Sequence, residues 1–182
     1  MNKIQYFIPI ALVFIFAACT NTKNDESKTM QPVIKDPLAW SDDAVMYEVN
    51  VRQYTPEGTF NAFAGHLPRL KELGVEILWF MPIHPIGEEN RKGTLGSYYS
   101  IRDYKAVNPE FGTMEDFKAL VEEAHEMGCK VILDFVANHT AWDHEWMETN
   151  PDWFTRDSTG KVIPPVADWS DVADLNFNNP DL

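Results

Sequence analysis

The sequence predicts an α/β fold with parallel strands, and three observations carry that reading. Apolar runs rich in β-branched residues alternate with stretches of helical period, in the order strand, helix, strand, long loop, helix, strand. The two helical stretches end at Gly74 and Gly128, with the next apolar run close behind each. The last run, Val131-Ile132-Leu133 with Phe135 and Val136, reads as a strand buried on both faces, the type found in parallel sheets. Strands joined through helices in this way lie parallel, with right-handed crossovers.

The elements follow in order. Ala44 to Val51 reads as the first strand, and Thr55-Pro56-Glu57-Gly58 as a turn. Phe63, Leu67, Leu70 and Leu73 recur at helical spacing within Asn61 to Leu73. Pro68 lies inside this stretch, so it should kink the helix or begin a new one. Val75 to Met81 is the second strand, stopped by Pro82. Ile83 to Phe111 is irregular and rich in Gly, Pro, Asn and aromatic residues, and a loop of that length in a compact domain is usually functional. Met114 to Met127 is the next helix, opened by a capping-box spacing of Thr113 and Asp116. Its apolar stripe is Phe117, Leu120, Val121 and Ala124. Lys130 to Ala137 is the third strand, and Asn138 and His139 stand at its carboxyl end, where α/β enzymes place their sites. Asp134 interrupts the strand, and a carboxylate buried there must be paired or used.

After Thr140 no period is visible. Residues 141–182 hold Trp142, Trp146, Trp153 and Trp169 among several Asp and Pro. These tryptophans suit either the lining of a groove or the packing of an irregular subdomain. Three parallel strands leave open sheet edges, so the sequence reads as the front portion of a longer protein.

Charge and cysteine set further bounds. The chain has 182 residues and a formal net charge of −13, which argues against a nucleic-acid partner, since phosphate binding needs clustered Lys and Arg. Lys3 followed by the apolar stretch Ile4 to Ala18 reads as a secretory signal, too short and too interrupted for a spanning helix. Phe16-Ala17-Ala18-Cys19 resembles a bacterial lipoprotein processing site, with Phe16 where Leu is usual. That resemblance implies cleavage before Cys19, lipidation of Cys19, and a lipid-anchored protein of the cell envelope, held at the outer membrane or in the periplasm; the alternative is ordinary signal-peptidase cleavage after Ala18, with Cys19 incidental. Residues 1–18 are then the signal, and residues 19–39 the lipidated cysteine and a polar tether. Cys129 is left without a disulfide partner and reads as a small buried residue.

Several motifs in chain order resemble the α-amylase family (glycoside hydrolase family 13). Asp134-Phe135-Val136-Ala137-Asn138-His139 is similar to the family signature at the end of the third barrel strand. Tyr47-Glu48-Val49 with Arg52-Gln53-Tyr54 is similar to the first strand and its loop. Leu70 to Val75 through Trp79, Met81 and Pro82 is similar to the first helix and second strand. Tyr99 to Tyr104, followed by Asn108 to Thr113, is similar to the aromatic loop. Ala173-Asp174-Leu175-Asn176 is similar to a short signature beyond strand three. The resemblance implies a TIM (β/α)8 barrel, of which residues 40–140 are the first three strands, and a subdomain inserted after strand three, of which residues 141–182 are the start. A complete barrel needs eight strands and about 250 residues.

The resemblance also implies the chemistry. Family members cleave or transfer α-glucosidic bonds with retention, using a carboxylate nucleophile and a carboxylic acid about 5 Å apart. The family carries these groups on strands four, five and seven, so none of them is expected in this chain, which is expected to be inactive alone. The resemblance gives His139 a hydrogen bond to the sugar at the cleavage point and Tyr99, or its neighbour Tyr98, the stacking face beneath that sugar. It gives Asp134 a structural role. It makes Asn138 and Asp174 ligands of a calcium ion that many but not all members bind. The expected substrate is an α-1,4-glucan such as starch, or a maltooligosaccharide. Two alternatives stand beside hydrolysis: a glucanotransferase or branching-type enzyme, and a surface glucan-binding protein with a degenerate barrel. The Asp, Glu and Asp of later strands would separate enzyme from binder, and the products formed from maltooligosaccharides would separate hydrolase from transferase.

Overall fold

A computed structural model describes residues 38–182. The signal, Cys19 and all but the end of the tether lie outside the described residues. Among the described residues no helix is long and apolar enough to cross a membrane.

Strand β1 spans Val45–Val49, two residues shorter at its end than the sequence suggests. Asn50 is the reason. Its side chain accepts a hydrogen bond from the Gln53 N–H at 3.3 Å and starts a short helix, α1, over Val51–Tyr54. The Thr55–Gly58 turn closes with the Gly58 N–H donating to the Thr55 carbonyl at 3.2 Å. The helical stretch behind it is two helices, α2 (Phe60–Ala64) and α3 (Leu67–Glu72). Pro68 lies in the first turn of α3, where its missing N–H costs nothing, so it begins a helix rather than kinking one. Gly74, with φ of 90°, then reverses the chain into β2 (Val75–Phe80).

Helix α4 runs from Met114 to Glu126 and opens with the full capping box between Thr113 and Asp116. The hydrogen bond from the Thr113 backbone, and then those from the Asn61 and Thr113 side chains, hold the Asp116 carboxyl below its usual range. Strand β3 is Lys130–Leu133. The sheet order is β1-β2-β3, both pairs parallel, with Leu78 opposite Tyr47 and Val131. The core beneath it is aromatic. Phe60 meets Phe111 and Phe117, and Phe80 meets Phe63 and Phe117, at centroid distances of 5.1–5.9 Å. Leu67, Leu70, Leu78 and Leu120 fill the space around these rings.

The third strand departs from expectation in two ways. It ends at Leu133 rather than Ala137, although the Asp134 N–H still donates to the Phe80 carbonyl at 2.9 Å. It is also not buried on both faces: Ile132, Leu133 and Phe135 are exposed. β3 is the edge of the three-stranded sheet, and no described element covers its outer side.

The segment beyond Thr140, where the sequence shows no period, is ordered around a second small sheet. β4 (His139–Ala141) pairs antiparallel with β5 (Val172–Asp174), His139 opposite Asp174. The boundary placed at residue 140 thus falls inside β4. Between the two strands lies helix α5 (Trp146–Thr149). Phe154, Ala173 and Leu175 form a core here, covered by Trp142, Trp146, Met147 and Trp153.

Candidate functional site

The site forms where the long loop between β2 and α4 meets the chain leaving β3. The loop is not slack. Ile86 bridges to Ile101, the Gly87 N–H donates to the Ser100 carbonyl at 2.8 Å, and the Asn108 N–H closes the base on Ile83. Its inner edge continues into the second sheet, since the Ala141 N–H donates to the Ile101 carbonyl at 2.8 Å. Gly87 permits this approach: a Cβ there would stand 2.4 Å from the Ala141 Cβ.

Tyr99 leaves this loop toward β3. Its hydroxyl donates to Asp134 Oδ2 at 2.9 Å. Burial, and then the bond to Asp134, push the Tyr99 phenol up to about 12, so it keeps its proton at neutral pH. Tyr104 braces the chain that leaves β3. Its hydroxyl lies 2.7 Å from the Val136 carbonyl and 2.9 Å from that of His139.

His139 is buried and uses both ring nitrogens. The Asn138 side-chain amide nitrogen faces Nδ1 at 3.0 Å, and Nε2 faces the Tyr99 carbonyl at 3.1 Å. A donor amide on Nδ1 makes that nitrogen the acceptor, so the ring proton sits on Nε2 and is given to Tyr99. Burial pulls the His139 pKa down, against the hydrogen bond to Tyr99 and the charges of Asp171 and Asp174 that raise it, and favours the neutral ring. The one N–H expected to meet a sugar therefore already holds the Tyr99 backbone.

Tyr99 and His139 line a cleft of about 400 Å³ with Lys92, Ser97, Trp169, Asp171 and Val172. Trp169 stands edge-on to His139 at 5.7 Å and leaves nearly half its surface open. The four tryptophans beyond Thr140 thus divide. Trp142, Trp146 and Trp153 cover the small core, whereas Trp169 faces the cleft.

Tyr98 is not part of the cleft. Its ring packs against the main core, beneath the Arg52 guanidinium at 4.3 Å, so of the two tyrosines it is Tyr99 that faces the cleft. Asn138 and Asp174 stand on adjoining backbone, the Leu175 N–H donating to the Asn138 carbonyl at 3.1 Å. Two oxygen donors fall well short of the six to eight that calcium takes. Among the described residues no cluster of three or more His, Cys, Asp or Glu side chains is arranged to hold a metal. Lys92, Ser97 and Asp171 had no signal in the sequence, because nothing local distinguishes them from surface residues.

Comparison with known proteins agrees with this architecture. The family model for the α-amylase catalytic domain matches residues 15–171. Alpha-amylase 3 of Dictyoglomus thermophilum is 32% identical over 98% of this chain and 38% of that enzyme. An α-1,4-glucan:maltose-1-phosphate maltosyltransferase of Rhodospirillum rubrum is 37% identical over 75% of this chain and 23% of its own. The crystal structure of an α-amylase from Lactobacillus plantarum superimposes with a TM-score of 0.74 and 50% identity, over 76% of this chain and 33% of that one. The chain thus spans between about a quarter and two fifths of the length of these relatives. It belongs to the α-amylase family, and its parallel sheet and helices are the N-terminal part of that family's TIM (β/α)8 barrel.

Proposed function

We propose that this protein hydrolyses α-1,4-glucosidic bonds in starch-like glucans and maltooligosaccharides with retention, and that residues 38–182 hold the sugar at the point of cleavage. The observation that carries the reading is the convergence of Tyr99, His139 and Trp169 on one cleft at the carboxyl end of the sheet. Aromatic faces suit the apolar face of a glucose ring. Tyr99 is fixed at both ends, by Asp134 at its hydroxyl and by His139 at its carbonyl, so it presents that face without reorganising. A sugar hydroxyl shares the His139 Nε2 proton with the Tyr99 carbonyl.

Neither carboxylate near the cleft suits the bond-breaking pair. Asp134 accepts the Tyr99 hydroxyl, and Asp171 is paired with Lys92. The nucleophile and the acid come from later strands of the whole protein, and residues 38–182 alone are inactive. Lipidation at Cys19 holds the mature enzyme in the cell envelope, and Cys19→Ala abolishes incorporation of labelled lipid.

The test is incubation of the whole protein with maltooligosaccharides, reading reducing ends and the anomer first released. Hydrolysis with retention raises reducing ends and gives the α-anomer. Longer products without new reducing ends would replace hydrolysis by transfer to a sugar, a second reading favoured by the likeness to the Rhodospirillum maltosyltransferase.

A further inference from the structure

We propose that Lys92 sets where on a glucan chain the enzyme acts: its ion pair with Asp171 is a bar across one end of the cleft that confines binding to chain ends. This rests on the sugar-cleft reading above and adds to it the class of glucan accepted.

Lys92 comes from the loop between β2 and Tyr99, and Asp171 from the segment leading into β5. Their side chains meet at 3.1 Å. Lys92 Nζ also donates to the Asp168 carbonyl, on the far side of Trp169 in sequence. Both residues line the cleft beside Tyr99 and His139, so the link joins the two segments that form it, the loop of Ser97 and Tyr99 and the stretch of Trp169 and Val172. An exposed ion pair is ordinarily of little consequence. This one differs in three respects.

First, Asp171 is buried, with 7% of its side chain exposed, so the carboxylate has little water to turn to in place of the ammonium. Second, the backbone beneath it is fixed, since Ser100 Oγ donates to the Asp171 carbonyl at 2.9 Å. Third, the loop carrying Lys92 is clamped on both sides. Arg91 Nε donates to the Gly87 carbonyl at 2.7 Å and its guanidinium reaches the Ile86 carbonyl. Arg52 donates to the carbonyls of Leu95 and Gly96, each at 3.3 Å. Asn90 takes a left-handed backbone, φ of 56°, to turn the chain between these clamps. Lys92 is therefore presented by a built loop. A sugar stacked on Tyr99 meets this bar at one end, and a glucan running through the cleft would have to break it.

The experiment compares the whole protein on linear maltoheptaose and on a large cyclic α-1,4-glucan, which has no ends. Wild type should cut the linear substrate at least a hundredfold faster, as judged by kcat/KM. Lys92→Ala should narrow that ratio at least tenfold, and Lys92→Arg, which keeps the pair, should restore it. Should Lys92→Ala fail to fold because Asp171 is left buried and unpaired, the double variant with Asp171→Asn carries the same expectation. Equal rates on both substrates in wild type, or an unchanged ratio in the folded variant lacking Lys92, would overturn the bar while leaving the hydrolase reading standing. A wild type active on neither substrate would overturn both.

Discussion

The Tyr99 hydroxyl donates to Asp134 Oδ2 at 2.9 Å, and this single bond ties the loop between β2 and α4 to the residue that follows β3. It pairs the Asp134 carboxylate and holds the Tyr99 ring in the cleft wall. Tyr99→Phe keeps the ring and loses the bond. A hydrogen bond to a charged group contributes about 1.5–3 kcal/mol, so kcat/KM on maltooligosaccharides should fall about ten- to hundredfold. Tyr99→Ala, which also removes the stacking face, should fall further. Steady-state kinetics on the whole protein decide the order, and an unaffected Tyr99→Ala variant would remove Tyr99 from the site.

Trp169 and Trp146 separate binding from folding. Trp169 leaves the cleft wall partly open, whereas Trp146 packs on Trp153 and His144 at 5.1 and 4.4 Å. Trp169→Ala should raise KM about tenfold and leave the melting temperature nearly unchanged. Trp146→Ala should cost about 3 kcal/mol of stability, in line with truncating a packed aromatic. Thermal unfolding alongside kinetics reads both, and the reverse pattern would reassign the two rings.

Gly87 and Gly65 make a paired stability test. A Cβ on Gly87 would meet the Ala141 Cβ at 2.4 Å and Asp143 Oδ1 at 2.8 Å, so Gly87→Ala should destabilise by about 1–3 kcal/mol. Gly65 has φ of −58° and its nearest neighbour would be the Ala62 carbonyl at 3.6 Å. Gly65→Ala should therefore be neutral or stabilise by up to about 1 kcal/mol. Denaturant midpoints of the two variants should move in opposite directions or only the first should move.

His144 gives the second sheet a pH dependence. It is buried, and its Nδ1 accepts the Trp146 backbone N–H at 3.1 Å. Burial pulls its pKa below the ordinary value, outweighing the charges of Glu145, Asp103 and Asp143 that raise it. The unfolded chain then takes up a proton at a higher pH than the folded one. Stability is complete above the ordinary histidine pKa of about 6.5 and is lost as pH falls through the lower folded value. Melting temperatures between pH 7.5 and 5 should decline in wild type. His144→Asn, which keeps an acceptor without titrating there, should show a shallower decline.

Much of the barrel front was legible because it is local. The capping box at Thr113 and Asp116 and the stop at Gly74 are written in neighbouring residues, and the structure contains both. Asn50 is equally local, yet the sequence does not set it apart from the strand, because an N-cap and a strand end share the same extended backbone. Strands β4 and β5, three residues each, are too short for any period to show, and each becomes a strand only by pairing with the other.

The sequence by itself determined the α/β class, the order of strands and helices, the family, and the aromatic, amide and imidazole residues at the carboxyl end of the third strand. These follow from periodicity and motif, which act over a few residues. Only the tertiary structure decided that Tyr99 rather than Tyr98 faces the cleft, that the His139 proton is held by the Tyr99 backbone, and that Lys92, Trp169 and Asp171 stand beside them. Those relations join segments up to some eighty residues apart, and they exist only once the core of Phe60, Phe80 and Phe117 has fixed the sheet from which the loops depart.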